Sequence, residues 1–281
     1  MPTRVLHVSD LHIGRDDSAG AHEALLELSG RLAPDLVICS GDLAHRGRGD
    51  QHDKAAALLR SLARPLLVVP GNHDIPYTFP ARFTRPWAEF ERHWGTTQPL
   101  HAGDGVVVVG LNSVRPWRHQ SGKVTSQQLA AVTEHFHRAP PHALRVAVLH
   151  HHMLGAPWRS KKKPVKDRNA VLASLVASGA QLVLAGHIHQ STIAERREFE
   201  IATPGGERAV IVSIAPALGR PRPNRHGETR GLHVYDAAEN ELTVWTYMWR
   251  EDGWGLIAVR RFPLGVEPLA FEQRERAGTA S

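Results

Sequence analysis

Apolar residues recur along the chain in two rhythms. Short, nearly continuous apolar runs cover Arg4–Ser9, Asp35–Cys39 and Pro65–Val69. Between them, His22–Leu32 places Leu25, Leu28 and Leu32 on one helical face. Asp50–Ala63 groups Ala55, Leu58, Leu59 and Leu62 behind Asp50 as N-cap. Apolar strands alternating with helices predict βαβ units and a parallel sheet covered on both faces. Residues 76–104, rich in Pro and aromatics, read as irregular, with a helix near Trp87–His93. Val106–Leu111, Leu144–Leu149 and Gln181–Ala185 follow as strands. Thr125-Ser-Gln-Gln128 is a capping box opening a helix with Leu129, Val132 and Phe136 on one side. A further helix is expected near Asp167–Ala177. After Ser191 the pattern shifts to short strands at Ile201, Val210–Ile214, Leu232–Tyr235, Leu242–Trp245 and Leu256–Val259, expected to be largely antiparallel. No fixed-period repeat or linker composition divides the chain. One domain over 1–266 and a polar tail over 267–281 are therefore expected.

Composition narrows this picture modestly. With 281 residues, 42% hydrophobic and 22% charged, the chain reads as globular. No apolar stretch reaches bilayer length, so no membrane partner is expected. The strand pattern starts at once, without an apolar signal region, and Cys39 is the single cysteine. Together these predict a cytoplasmic protein with a buried structural thiol. A net charge of +6 and a pI near 9.9 favour anionic partners.

The 19 histidines change the picture more, because several stand at strand ends. Five ends carry metal-type side chains: Asp10-Leu-His12, Gly41-Asp42, Gly71-Asn-His-Asp74, His150-His151-His152 and Gly186-His-Ile-His189. In a parallel sheet the carboxyl ends of strands face one crevice, so these groups can converge. Several carboxylates in one place need compensating charge, which two divalent cations would supply. One carboxylate can bridge two metals, and Asp42, from a middle strand, is the natural bridge. Mixed imidazole, carboxylate and amide donors suit manganese, iron or zinc better than magnesium or calcium. Glycine before Asp42, Asn72 and His187 permits close backbone approach at each. His7, inside the first strand, reads as a core histidine.

Taken together, these five blocks, from about Val5 to Gln190, resemble the calcineurin-like metallophosphoesterases. Within that superfamily, "DLHIGR", "VVPGNHD" and "AGHIHQ" make the chain most similar to class III cyclic-nucleotide phosphodiesterases. The resemblance implies an α/β fold, a four-layer α/β/β/α sandwich of two mixed sheets with helices outside. It implies one metal on Asp10, His12, Asp42 and His189, and a second on Asp42, Asn72, His150 and His187. Relatives often carry a proline soon after the histidine pair, whereas here Met153 follows His152. The ligand register is thus open, with His150 favoured over His151. The implied reaction is phosphodiester hydrolysis by a hydroxide bridging two Mn²⁺, Fe²⁺/Fe³⁺ or Zn²⁺ ions. His73 is expected to protonate the leaving alkoxide, or else to serve as a hydrogen-bond partner of the site. Asp74 would orient His73 or anchor the turn.

The expected substrate is a small phosphate ester, a cyclic or small nucleotide, contacted by Asn72, Arg15, Arg46 and His151. Two basic segments, Arg159–Lys166 and Arg220–His226, read as solvated loops or as walls attracting phosphate. Trp158 beside Arg159, and Trp117 near His119, are the cues for nucleic acid. A nuclease or a phosphomonoesterase of the same superfamily is the alternative. A metal-bound scaffold recognising phosphorylated partners is the non-enzymatic one.

Overall fold

The computed structural model describes residues 3–15, 19–118, 120–158, 160–197, 207–222, 225–238, 240–251, 253–264 and 266–267. Two sheets face each other. The first has strand order β12-β11-β10-β1-β2-β3. Its strands are β1 (Thr3–Val8), β2 (Leu36–Cys39), β3 (Leu66–Val68), β10 (Gly231–Ala237), β11 (Glu241–Arg250) and β12 (Gly253–Pro263). The second runs β13-β9-β7-β6-β5-β4, with β8 paired to β9. It is built from β4 (Leu100–Ala102), β5 (Val106–Leu111), β6 (Leu144–Leu149), β7 (Leu182–Ala185), β8 (Thr192–Arg197), β9 (Glu207–Ile214) and β13 (Val266–Glu267).

Three apolar clusters make four layers. Val5, Leu36, Ile38 and Leu67 of the first sheet pack against Val106, Val108, Val146 and Leu184 of the second. The opposite face of the first sheet, with Leu6, Val8 and Val37, is covered by α1 (Ala19–Leu32), α2 (Gly49–Ser61) and Phe90 of α4 (Ala88–Trp94). The outer face of the second, with Val107, Val109 and Ala147, is covered by α5 (Ser126–His137) and α6 (Arg168–Ala177). The parallel strands β1, β2, β3, β5, β6 and β7 are buried on both faces, as their apolar runs require. The second cover of each is the other sheet, which is the four-layer α/β/β/α sandwich of two mixed sheets that the family resemblance implies.

β1, β2 and β3 are parallel, as are β5, β6 and β7. β10 is antiparallel to β1, and β10, β11 and β12, all from beyond residue 230, complete the first sheet. β9 departs from the antiparallel expectation: it lies parallel to β7 and antiparallel to β8. The capping box at Thr125 is formed. The Asp50 cap is not: the N-cap of α2 is Arg48, and Asp50 sits in the first turn. A one-turn helix α3 (Ala81–Thr84) and β4 lie in the segment read as irregular. The strand at Ile201 and residues 268–281 of the tail lie outside the described residues. Among the described residues, no helix is long and apolar enough to cross a membrane.

Candidate metal centre

The expected side chains arrive at one place from both sheets. Asp10 and His12 follow β1, Asp42 follows β2, Asn72 follows β3, His150 follows β6, and His187 and His189 follow β7; all seven are buried. The loops are laced together by backbone hydrogen bonds. Asp10 N donates to Gly41 O at 2.9 Å, His12 N to Asp42 O at 2.9 Å, and Gly186 N to His150 O at 3.0 Å. Asp10, His12, Asp42, His187 and His189 all adopt positive φ, between 50° and 74°. Residues with a Cβ rarely visit that region, and such strain clusters at functional sites. Two glycines are required by close approach: a Cβ on Gly71 would overlap the Asp42 carboxylate, and one on Gly186 would overlap Ser9 and Asp10.

Two groups of ligand-type atoms share Asp42. One comprises Asp10, His12, Asp42 and His189; the other Asp42, His150 and His187. In the first, His189 Nε2 lies 2.9 Å from Asp10 Oδ1 and 3.0 Å from His12 Nε2, which is itself 3.6 Å from Asp42 Oδ2. In the second, His150 Nε2 lies 3.3 Å from Asp42 Oδ1, 3.1 Å from His187 Nδ1 and 3.2 Å from Asn72 Oδ1. Asp42 Oδ2 is buried without a hydrogen-bond partner, and Asp10 Oδ1 is buried against the His189 imidazole. Buried acceptors converging in this way are costly unless a cation sits among them. The donor set therefore fits a pair of divalent cations with one shared carboxylate.

The remaining oxygens orient the set. Asp10 Oδ2 accepts from Ser9 Oγ at 2.7 Å and from His187 N at 2.9 Å, and Asp42 Oδ1 accepts from His73 N at 2.9 Å. Burial pushes the Asp42 carboxyl up, but the charges of His150 and His73 outweigh it and hold the group well below the usual carboxylate range. Burial drives His12 and His187 well down. Burial also lowers His150, but the Asp42 carboxylate overrides it and pushes the imidazole up to about 9.

His150, not His151, enters the cluster. The His151 ring is buried behind it, with Nδ1 on Ser113 Oγ at 2.8 Å. Asp74 anchors the turn rather than His73: its carboxylate accepts from Ala44 N and Gly71 N, both at 2.8 Å. Burial and the Asp42 charge push its pKa up to about 7. Arg15 is half-buried and Arg46 exposed, both close enough to His45 to act on its charge. His7 is satisfied in the core by Ser40 Oγ at 2.9 Å, and burial pushes the Cys39 thiol up.

His73 is half-buried beside the cluster, its ring 4.8 Å from that of His12. Its Nδ1 faces the His45 carbonyl at 2.8 Å and Tyr77 Oη at 2.7 Å. A carbonyl only accepts, so Nδ1 carries the proton in that bond and Nε2 is left for other chemistry. His45 stacks on His73 with centroids 5.7 Å apart.

Sequence reasoning missed four residues. His45 lies three positions past Asp42, and Tyr77 four past His73, so proximity to the blocks was the available signal. Lys162 was submerged in a basic run. Glu228 stands just past the other run. Its carboxylate is 3.5 Å from His189 Nδ1 and ion-paired with Arg222, a contact of the kind that fixes a ligating imidazole.

Residues 3–191 match the Calcineurin-like phosphoesterase family. The chain belongs to that family. It is 26% identical over 210 residues to a cAMP/cGMP dual specificity phosphodiesterase of Mycobacterium tuberculosis, covering 67% of this chain and 62% of the relative. A glycerophosphodiester phosphodiesterase of Enterobacter lignolyticus is 37% identical over 78 residues, 24% of this chain and 28% of the relative. The chain thus spans less than two thirds of either relative. A dimetal phosphatase from Danio rerio superposes with a TM-score of 0.61 at 13% identity, over 94% of this chain and 100% of that one. This likeness shows the same fold. The phosphoesterase match ends before Glu228, which reaches the cluster from the segment beyond it.

Proposed function

We propose that this protein is a two-metal phosphodiesterase acting on a cyclic or other small nucleotide. The observation that carries the reading is the Asp42 carboxylate, shared by two buried ligand groups and left with an unpartnered oxygen. Asp10, His12, Asp42 and His189 would hold one cation, and Asp42, Asn72, His150 and His187 the other; manganese, iron and zinc suit these donors. When bound, such ions supply Lewis acidity and lower the pKa of water toward neutrality. The Asn72 amide N–H, at the edge of the second group, would donate to a phosphate oxygen. His73 donates a proton from Nε2 to the departing alkoxide, while the His45 carbonyl and Tyr77 keep its ring oriented.

A nucleotide is favoured over inorganic or sugar phosphates because exposed aromatics fringe the same loops. Tyr77 touches His73, and Arg82 ties Pro76 to Pro116, beside the 70% exposed Trp117. Trp158, also exposed, is fastened to Gln190 next to His189. Flat exposed rings suit stacking of a base. The same fringe favours single-stranded nucleic acid as a second reading.

Protein loaded with manganese and assayed on bis-p-nitrophenyl phosphate, p-nitrophenyl phosphate, cyclic AMP and single-stranded DNA separates these readings. The expected result is metal-dependent turnover of the diester above the monoester, and of cyclic AMP above DNA. DNA cleavage without cyclic AMP turnover moves the assignment to a nuclease. Loss of all turnover on these esters rejects the enzyme.

A further inference from the structure

The segment after the histidine run is fastened at both ends. Trp158 N donates to Gln190 Oε1 at 3.0 Å. At the far end, Val165 is buried and donates its N–H to His152 O at 3.1 Å, and Lys166 N donates to Gly122 O at 2.8 Å. Between these anchors Lys161 and Lys163 are exposed, whereas Lys162 turns inward. Such alternation is what an extended stretch gives when one face meets the protein. Lys162 Nζ donates to the His187 carbonyl and lies 3.0 Å from His189 Nε2. That nitrogen is one of the cluster's own ligand-type atoms. Residues 160–166 of the run read as solvated charge are therefore a strap that carries one ammonium to the site.

An ammonium beside cation-binding atoms is repelled by the cations they hold, unless an anion lies between. A phosphate ester is such an anion, and each of its two non-bridging oxygens has lone pairs enough to accept from an ammonium as well as face a cation. We propose that Lys162 is a phosphate-binding residue of this site, its ammonium taking a non-bridging oxygen of the ester on the His187–His189 side. The ligand class rests on the phosphoesterase reading above. Lysine suits the position, being a compact charge with three donors on a flexible stem. The head can turn from ring nitrogen to phosphate oxygen while the strap stays anchored at Trp158 and Val165.

The test compares manganese-loaded wild type with Lys162→Met, Lys162→Arg and the double variant Lys161→Met/Lys163→Met. Calorimetry with inorganic phosphate reads binding independently of turnover, and metal per chain and Tm read the integrity of the site. Lys162→Met is expected to keep wild-type metal content and Tm, and to weaken phosphate binding by about tenfold or more, the scale of a lost charge-assisted hydrogen bond. The diester KM should rise with it. Lys162→Arg should recover part of the affinity, and the double variant, which keeps Lys162, should stay within about twofold of wild type, as expected for screened exposed charges. The proposal is overturned if Lys162→Met binds phosphate as wild type does, if it loses metal, or if wild type binds no phosphate. Phosphate binding that depends on Lys162, without hydrolysis of any ester, would keep the proposal and reject the hydrolase.

Discussion

At the scale of single residues, the proposed function separates side chains that would hold the cations from one, His73, that would move a proton. Asp10, Asp42 and the four cluster imidazoles are buried, all but His150 at positive φ, whereas His73 is half-buried and meets the cluster through its backbone N–H on Asp42. Its ring can therefore be removed without deleting a ligand. His73→Ala is expected to retain metal content, because the backbone bond to Asp42 survives. Turnover should fall by roughly 10²-fold or more, the scale of a lost acid–base group. Metal analysis with steady-state rates checks this. Turnover within a few-fold of wild type would leave His73 as a spectator, and loss of metal would make it a structural support.

At the scale of elements, the junctions between strand and loop matter more than the strands. Gly186 closes β7 and lies where a Cβ would press on Ser9 and Asp10, so its lack of a side chain sets the approach of two ligand loops. Gly186→Ala should weaken metal uptake by about tenfold or more and cost a few degrees of Tm, the effect of overpacking at one buried contact. Metal titration followed by thermal melting would show it; unchanged affinity would mean that the loops yield freely. These junctions were legible in the letters because a glycine directly before a ligand-type residue is a local signal. β5 and β6 were legible to the residue, being apolar runs interrupted by a charge only at Arg145. β8 was not: Thr192–Arg197 is polar and lies alongside β9 without an apolar alternation to mark it. The start of α2 was misplaced because Asp50 resembles a cap, yet it works in the first turn, bonded to Arg48 at 2.8 Å, where a carboxylate also favours the helix end. The direction of β9 and the pairing of the sheets depend on partners distant in the chain, about which local periodicity is silent. The cluster residues carried their own signature, whereas Lys162 and Glu228 are recognisable only by what they touch.

At the scale of the whole molecule, the two sheets enclose a polar chain within an otherwise apolar layer. His7 of β1 meets Ser40 Oγ at 2.9 Å and Tyr235 Oη at 3.4 Å. Tyr235 donates to Ser213 Oγ at 2.8 Å, and Ser213 Oγ lies 3.1 Å from His233 Nδ1. Ser191 Oγ closes the row on His233 Nε2 at 2.9 Å. Both histidines are fully buried, and burial lowers each from 6.5 to about 3, reinforced for His7 by His233 and for His233 by Arg260. The unfolded chain takes up a proton on each below pH 6.5, while the folded chain keeps both neutral down to about 3. Their contribution is therefore present in full above pH 6.5 and is lost as pH falls toward 3. At about 1.4 kcal/mol per unit for each group, the pair accounts for roughly 4 kcal/mol between pH 6.5 and 5. Replacing both by glutamine keeps hydrogen-bonding capacity and removes the titration. The double variant should be less stable than wild type at pH 7.5, yet lose markedly less stability on going to pH 5 in urea unfolding followed at each pH. Parallel curves for the two proteins would show that these histidines do not set the acid limit.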